Sequence, residues 1–184
     1  FLAIASIFAL SLSGCDDQPA DPADPQAVRC ESYFSAMSTD GQIIVYASDD
    51  AACRRAIAAA QQTLHDIETD ISAFRADSEI SAINSAAGAD AVAISPRTAR
   101  AIQAAKDYSR LSGGAFNPLV GPIVQLWRTA ADEQRLPSDD EIRAALSLLD
   151  IARIKLTAGD GRHICRLERP GMMLDLGGMA KGWA

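Results

Sequence analysis

Residues 16–29, DDQPADPADPQAVR, hold three prolines and four aspartates and offer nothing to pack. Such a stretch cannot bury a core and is expected to stay extended and solvated, so whatever folds begins near Cys30. In front of it, Phe1 to Leu12 is a run of apolar and small residues closing in Leu12-Ser13-Gly14-Cys15. At about 14 residues the run is shorter than the ~20 a bilayer-spanning helix needs, and it reads as the h-region of a secretory signal ending in a lipobox. A buried first helix or strand is the alternative; the unpackable stretch behind it argues against that. The expected organisation is a signal peptide over 1–14, incomplete at its N-terminus, a lipidated Cys15 with a flexible linker over 15–29, and a domain over 30–184.

About 155 residues from Cys30 onward suffice for one core. With 48% hydrophobic and 22% charged residues, the balance is that of an ordinary globular domain. The net charge of −7 and the lack of a basic stripe argue against nucleic-acid binding, which draws on excess Lys and Arg. With Cys15 lipidated, Cys30, Cys53 and Cys165 remain. In an oxidising compartment two of these could pair, and an odd number leaves at least one free; which two is open. No Cys-x-x-Cys or Cys/His spacing suggests zinc. His65 and His163 stand alone and read as ordinary surface or core histidines.

Helices and strands are both legible. Glu31 to Met37 and Gln42 to Ala47 are β-rich runs around Ser38-Thr39-Asp40-Gly41, a hairpin with Asp-Gly in its turn. Asp49 or Asp50 caps a helix with Ile57, Ala60, Leu64, Ile67 and Ile71 on one face. Ser78 caps a short helix through Ile83. Ser95-Pro96 opens another, with Ala101, Ala104, Tyr108 and Leu111 on one side and Gly113-Gly114 closing it. Ser138 and Glu141 form a capping-box pattern ahead of Ile142, Ala145, Leu146 and Leu149. Ile154 to Leu156 and His163 to Leu167 form a second hairpin around Ala158 to Gly161. The class is α+β or α/β, without repeats.

The last thirteen residues, Met172 to Ala184, read MMLDLGGMAKGWA. An apolar stretch ends in Asp175, a glycine pair follows (Gly177, Gly178), and Lys181 stands where a helix could begin. Glycines let a backbone approach a ligand, the first N–H groups of a helix are unpaired, and a nearby cation attracts an anion, so this order suits a phosphate. A strand-end acid and a solvated helix lysine fit the residues alone equally well.

Four motifs, in order behind a lipobox, now carry a resemblance. They are Phe34-Ser35-Ala36-Met37-Ser38-Thr39; Asp70-Ile71-Ser72-Ala73-Phe74-Arg75 running into Ser78-Glu79-Ile80-Ser81-Ala82-Ile83-Asn84; Ser112-Gly113-Gly114-Ala115-Phe116-Asn117-Pro118-Leu119-Val120-Gly121-Pro122 leading to Leu126-Trp127; and Asp175-Leu176-Gly177-Gly178-Met179-Ala180-Lys181-Gly182. Together they resemble the ApbE family of FAD:protein FMN transferases, periplasmic lipoproteins. The resemblance runs from about Cys30 to the end and does not cover the family's C-terminal part. The chain is therefore expected to be an N-terminal fragment, inactive alone and at best partly folded. Its fold is expected to be α+β, a mixed sheet with packed helices in an ApbE-like (T-fold-like) domain truncated at its C-terminal part.

The resemblance implies an enzyme that binds FAD and Mg²⁺ and moves the FMN moiety onto a threonine hydroxyl of a target flavoprotein, releasing AMP. Positioning and charge cancellation on the pyrophosphate would carry such a step. By the same resemblance Met37 contacts the adenine side of FAD and Phe74 stacks on the flavin, although a core methionine and a core phenylalanine fit the residues alone. Ala115, Phe116 and Asn117 match the cofactor-contacting turn, where Asn117 replaces the usual Asp and so keeps an acceptor while losing a charge. Asp175 is expected to hydrogen-bond the cofactor and Lys181 to face its phosphates, which makes these two the catalytic candidates. The carbonyl of Gly178 takes the place of one Mg²⁺ ligand; the others, an Asp and a Thr in the family, belong to the segment not covered. Cys15 is expected to anchor the protein by lipid, and Asp16 behind it resembles an inner-membrane retention signal, which points to the periplasmic face of the bacterial inner membrane. The expected partner is an acceptor flavoprotein with a target threonine, a redox-driven pump subunit or similar, and no nucleic acid. Two other functions share the same features: a periplasmic FAD-binding lipoprotein without transfer, and a Mg²⁺-dependent FAD pyrophosphatase giving FMN and AMP.

Overall fold

The computed structural model describes residues 26–159 and 162–184. The expected signal peptide, Cys15 and most of the linker lie outside the described residues. Two compact units are present: one holds the described residues up to Phe34 with Asp40–Gln61, the other Ser35–Thr39 with Gln62–Ala184. The α+β class is as expected, and the described strands pair in two small sheets. No helix among the described residues is long and apolar enough to cross a membrane.

The first unit is built on the stems of a hairpin, β1 (Val28–Ala36) and β2 (Thr39–Ala47), and on the first turns of α1 (Asp50–Ile71). Strand β1 starts two residues ahead of the expected boundary and alternates regularly between half-buried and exposed positions. The hairpin is there, but its turn is Met37-Ser38, not Asp40-Gly41. Gly41 is a strand residue covered by the Phe34 ring, and a Cβ on it would stand 2.5 Å from that ring. The glycine thus serves close packing rather than the turn. Asp49 caps α1 by accepting the Ala52 N–H at 2.7 Å. Cys30 and Cys53 form a disulfide with Cα atoms 6.0 Å apart, tying β1 to α1 across 23 residues. By chain entropy such a closure is worth about 3 kcal/mol. Among the described residues Cys165 is the free thiol.

The second unit carries the main core, including Ile80 and Ile83 of α2 (Glu79–Ser85), Ile102 of α3 (Pro96–Leu111) and Leu174 near the C-terminal end. Ser78 caps α2 and Ser95 caps α3, each accepting an N–H from three residues on. The buried residues of α3 are Thr98, Ala99, Ala101, Ile102, Ala105 and Ser109. Tyr108 and Leu111, expected inside, are exposed. Apart from Ile102 the buried residues are small, and Tyr108 and Leu111 turn outward beside them. Helix α3 ends as expected on Gly113 and Gly114, both with positive φ, whose N–H groups bond back to Arg110 and Ser109 as in a Schellman motif.

Helix α4 (Gly121–Asp132) follows, then α5 (Asp139–Leu146), opened by the Ser138/Glu141 capping box. The second hairpin is β4 (Ile154–Gly159) and β5 (Arg162–Leu167), antiparallel with Leu156 opposite Cys165. A short strand, β3 (Val92–Ile94), pairs antiparallel on the other side of β5 and completes the order β3-β5-β4. The chain closes in α6 (Gly177–Trp183).

Candidate functional site

The segment before α6 is extended, with Met172, Leu174 and Leu176 buried and Met173 and Asp175 half-buried. It joins no sheet, so its backbone groups need other partners. Asn84, at the end of α2, supplies them: its Oδ1 accepts the Leu174 N–H at 2.7 Å and its Nδ2 donates to the Leu174 carbonyl at 2.9 Å. One side chain thereby imitates a neighbouring strand. The Asp175 N–H donates to the carbonyl of Pro118 at 2.8 Å. The tail motif is thus fastened to the turn that carries Ala115, Phe116 and Asn117.

A second contact joins the same two motifs. The Phe116 ring lies over Gly178, where an added Cβ would stand 3.2 Å from it. Behind them α4 approaches the tail at Gly121, where a Cβ would meet the Met173 Cβ at 2.6 Å and its carbonyl oxygen at 2.8 Å. Residues some sixty positions apart in sequence are brought together around Phe116, Pro118, Asp175 and Gly178.

The start of α6 differs in detail from expectation. It begins at Gly177, and the Gly177 N–H, expected to be open to a ligand, is accepted by Asp175 Oδ1 at 2.8 Å. The Leu176 carbonyl accepts the N–H groups of Met179 and Ala180. Lys181 is exposed and stands in the last turn of the helix rather than at its beginning. Asn117 is occupied as a brace: its Oδ1 accepts the Leu119 N–H at 2.9 Å and its Nδ2 donates to the Leu149 carbonyl at 2.8 Å. One amide hydrogen and one lone pair of Oδ1 are not used by these two bonds. Ser112 orders the same turn by accepting the Phe116 N–H at 3.1 Å.

Met37 and Phe74 come from the N-terminal half of the chain, and their polar and ring contacts are to Glu68 and Arg128, not to Phe116 or Asp175. Met37 is half-buried, packs on the main core, and sits in the hairpin turn with φ 51°; Ser38 follows with φ 55°. The Met37 N–H donates to Glu68 Oε1 at 3.1 Å. Phe74 is 67% exposed, as an aromatic awaiting a stacking partner would be, and the Arg128 guanidinium lies 4.9 Å from its ring centre. Next to it Arg75 is held above its ordinary pKa by its hydrogen bonds to Asp77 and, in smaller part, by the charge of Glu68. Cys165 is no candidate nucleophile, because burial pushes its thiol up to about 11.

Among the described residues no group of three or more His, Cys, Asp or Glu could hold a metal ion. The Gly178 carbonyl lies within α6 and so points along the helix toward its C-terminal end. One carbonyl of that orientation and one carboxylate already capping Gly177 do not make the roughly six oxygens that Mg²⁺ takes. These residues alone do not fit the ion.

Sequence reasoning did not single out Asn84, Glu68, Ser112 or Arg128 for the roles they hold. Asn84 lay inside a quoted motif, yet its partner is 90 residues away. Glu68 had a visible signal, an acid adjoining the apolar face formed by Ile67 and Ile71. Replacing Asn84 by Ala leaves both polar groups of Leu174 unpaired beside a buried side chain. The expected loss is about 3 kcal/mol of stability, read by thermal denaturation.

A model of the ApbE family matches residues 37–184. The chain is 36% identical over 116 residues to an FAD:protein FMN transferase of Treponema pallidum, a match covering 61% of this chain and 32% of that protein. It is 34% identical over 154 residues to an FAD:protein FMN transferase of Klebsiella pneumoniae, covering 82% and 46%. The crystal structure of the ApbE protein of Thermotoga maritima superimposes with a TM-score of 0.70 at 28% identity, covering 85% of this chain and 50% of that one. The chain thus spans between about a third and a half of the length of these relatives.

Proposed function

The chain belongs to the ApbE family, and from that premise we propose that it forms part of an enzyme that transfers the FMN moiety of FAD to a threonine hydroxyl of a target flavoprotein. The observation that carries this reading is the joining of two remote motifs, through Asp175 N–H on the Pro118 carbonyl and Phe116 over Gly178. In the reaction the threonine oxygen forms a bond to the FMN phosphorus, the pyrophosphate bond to AMP breaks, and the hydroxyl proton passes to a base or to solvent. The chain's own groups are proposed to bind and orient: Phe74 offers an exposed ring, flanked by the Arg128 guanidinium, to the flavin, Met37 a soft side chain to the adenine, and Asp175 a carboxylate fixed by the Gly177 N–H. Lys181, exposed and cationic, is proposed to face the phosphates. Mg²⁺, which would reduce charge on the pyrophosphate, needs ligands beyond the Gly178 carbonyl that the described residues do not supply.

Anchoring through a lipidated Cys15, at the periplasmic face of the inner membrane, belongs to the same proposal. The Cys30–Cys53 disulfide supports it, because such bonds persist in oxidising compartments. The acceptor is proposed to be a redox-pump subunit or similar flavoprotein. The test is to incubate the full-length gene product with FAD, Mg²⁺ and a threonine-bearing flavoprotein domain, and to weigh the domain by mass spectrometry. An FMN adduct that requires Mg²⁺ is expected. Free FMN and AMP without an adduct would indicate hydrolysis instead, and unchanged FAD a binding protein.

A further inference from the structure

A two-residue hairpin turn with both central residues at positive φ has the type I′ shape, which Asn-Gly and Asp-Gly adopt readily. Here the pair is Met37-Ser38, at φ 51° and 55°. Non-glycine residues held there cost on the order of 1–3 kcal/mol each, and they persist only where the surroundings enforce them. A turn that would be easier with glycine carries a large thioether side chain instead, packed on the main core. The side chain at this position therefore matters more than the ease of the turn.

One group visibly enforces the conformation. Glu68 lies on α1 beside Ile67, 31 residues from Met37, and its Oε1 accepts the Met37 N–H at 3.1 Å. That N–H is at the first central position of the turn, outside both strands, so the carboxylate is the partner that completes it. Glu68 also lies within electrostatic reach of Arg75, the residue after Phe74.

Resting on the flavin-transfer reading above, we propose that Glu68 is a positioning residue of the FAD site, which fixes the left-handed Met37-Ser38 turn and through it the Met37 side chain. Glu68 touches no part of the dinucleotide; its effect on binding passes through Met37. A purely structural glutamate would instead act on stability, with no dependence on which side chain stands at position 37.

The test is a double-mutant cycle on FAD affinity in the full-length gene product, with E68A, M37A and the pair, each checked for an unchanged far-UV spectrum. E68A is expected to weaken FAD binding about tenfold with Met37 present and less than twofold in the M37A background. Additive losses, or an E68A protein binding as tightly as wild type, would overturn the inference. E68Q keeps an acceptor oxygen of the same shape and is expected to bind FAD within about twofold of wild type; a tenfold loss there would also overturn it, and this arm serves if E68A does not fold. A wild-type protein that binds no FAD would overturn the flavin reading itself, which separates that failure from failure of the role given to Glu68.

Discussion

Gly121→Ala is expected to lower stability by about 3 kcal/mol and, on the proposed function, to weaken flavin binding by the full-length gene product. On propensity alone the change should help, since alanine in place of glycine within a helix gains roughly 0.5–1 kcal/mol. The surroundings reverse the sign. A Cβ at position 121 would stand 2.6 Å from the Met173 Cβ and 2.8 Å from the Met173 carbonyl oxygen, and neither is the end of a flexible side chain. Relief requires a shift of α4 or of the extended tail, and the tail holds Asp175 two residues further on. The thermal midpoint should fall by about 6–12 °C. Gly182→Ala is the control, because nothing lies within 4 Å of a Cβ there; it should be neutral or slightly stabilising. Equal midpoints for Gly121→Ala and wild type would show that the tail yields without resistance.

On the proposed function, Asp175→Ala in the full-length gene product should reduce flavin transfer by about a hundredfold, and Asp175→Asn should separate the two tasks of this residue. Its Oδ1 accepts the Gly177 N–H at 2.8 Å, which any oxygen acceptor in the same place can do. Asparagine keeps that oxygen and loses the charge. Asp175→Asn is therefore expected to melt close to wild type while remaining nearly as inactive as the alanine variant, which also loses the cap and some stability. Full activity in Asp175→Asn would mean that the carboxylate serves the start of α6 and not the chemistry.

The elements legible in the sequence are those whose signals are local. The Ser138/Glu141 capping box, Ser95 ahead of Pro96, Gly113-Gly114 and the β4–β5 hairpin all depend on residues within a few positions of one another. Strand β3 escaped because three residues carry no period, and its pairing with β5 is formed across some seventy positions. Helix α4 escaped because it opens on Gly121-Pro122 with no capping side chain, which reads as a loop although proline is well tolerated in a first helical turn. The first hairpin turn was misplaced for a physical reason: Asp40-Gly41 has ideal turn chemistry, but Gly41 lies beneath Phe34 and the turn falls on two residues that resist it. At the candidate site, the motifs around Phe116 and Asp175 could be read separately. Their meeting, and the use of Asn84 and Glu68 to hold the pieces, arises only in the folded chain.

The most direct measurement is a crystal structure of the full-length gene product soaked with FAD. The dinucleotide should lie across Phe116 and Asp175, with its isoalloxazine ring against Phe74 and its adenine toward Met37. FAD bound elsewhere, with Phe74 and Asp175 untouched, would contradict the assignment of these four residues to one flavin site.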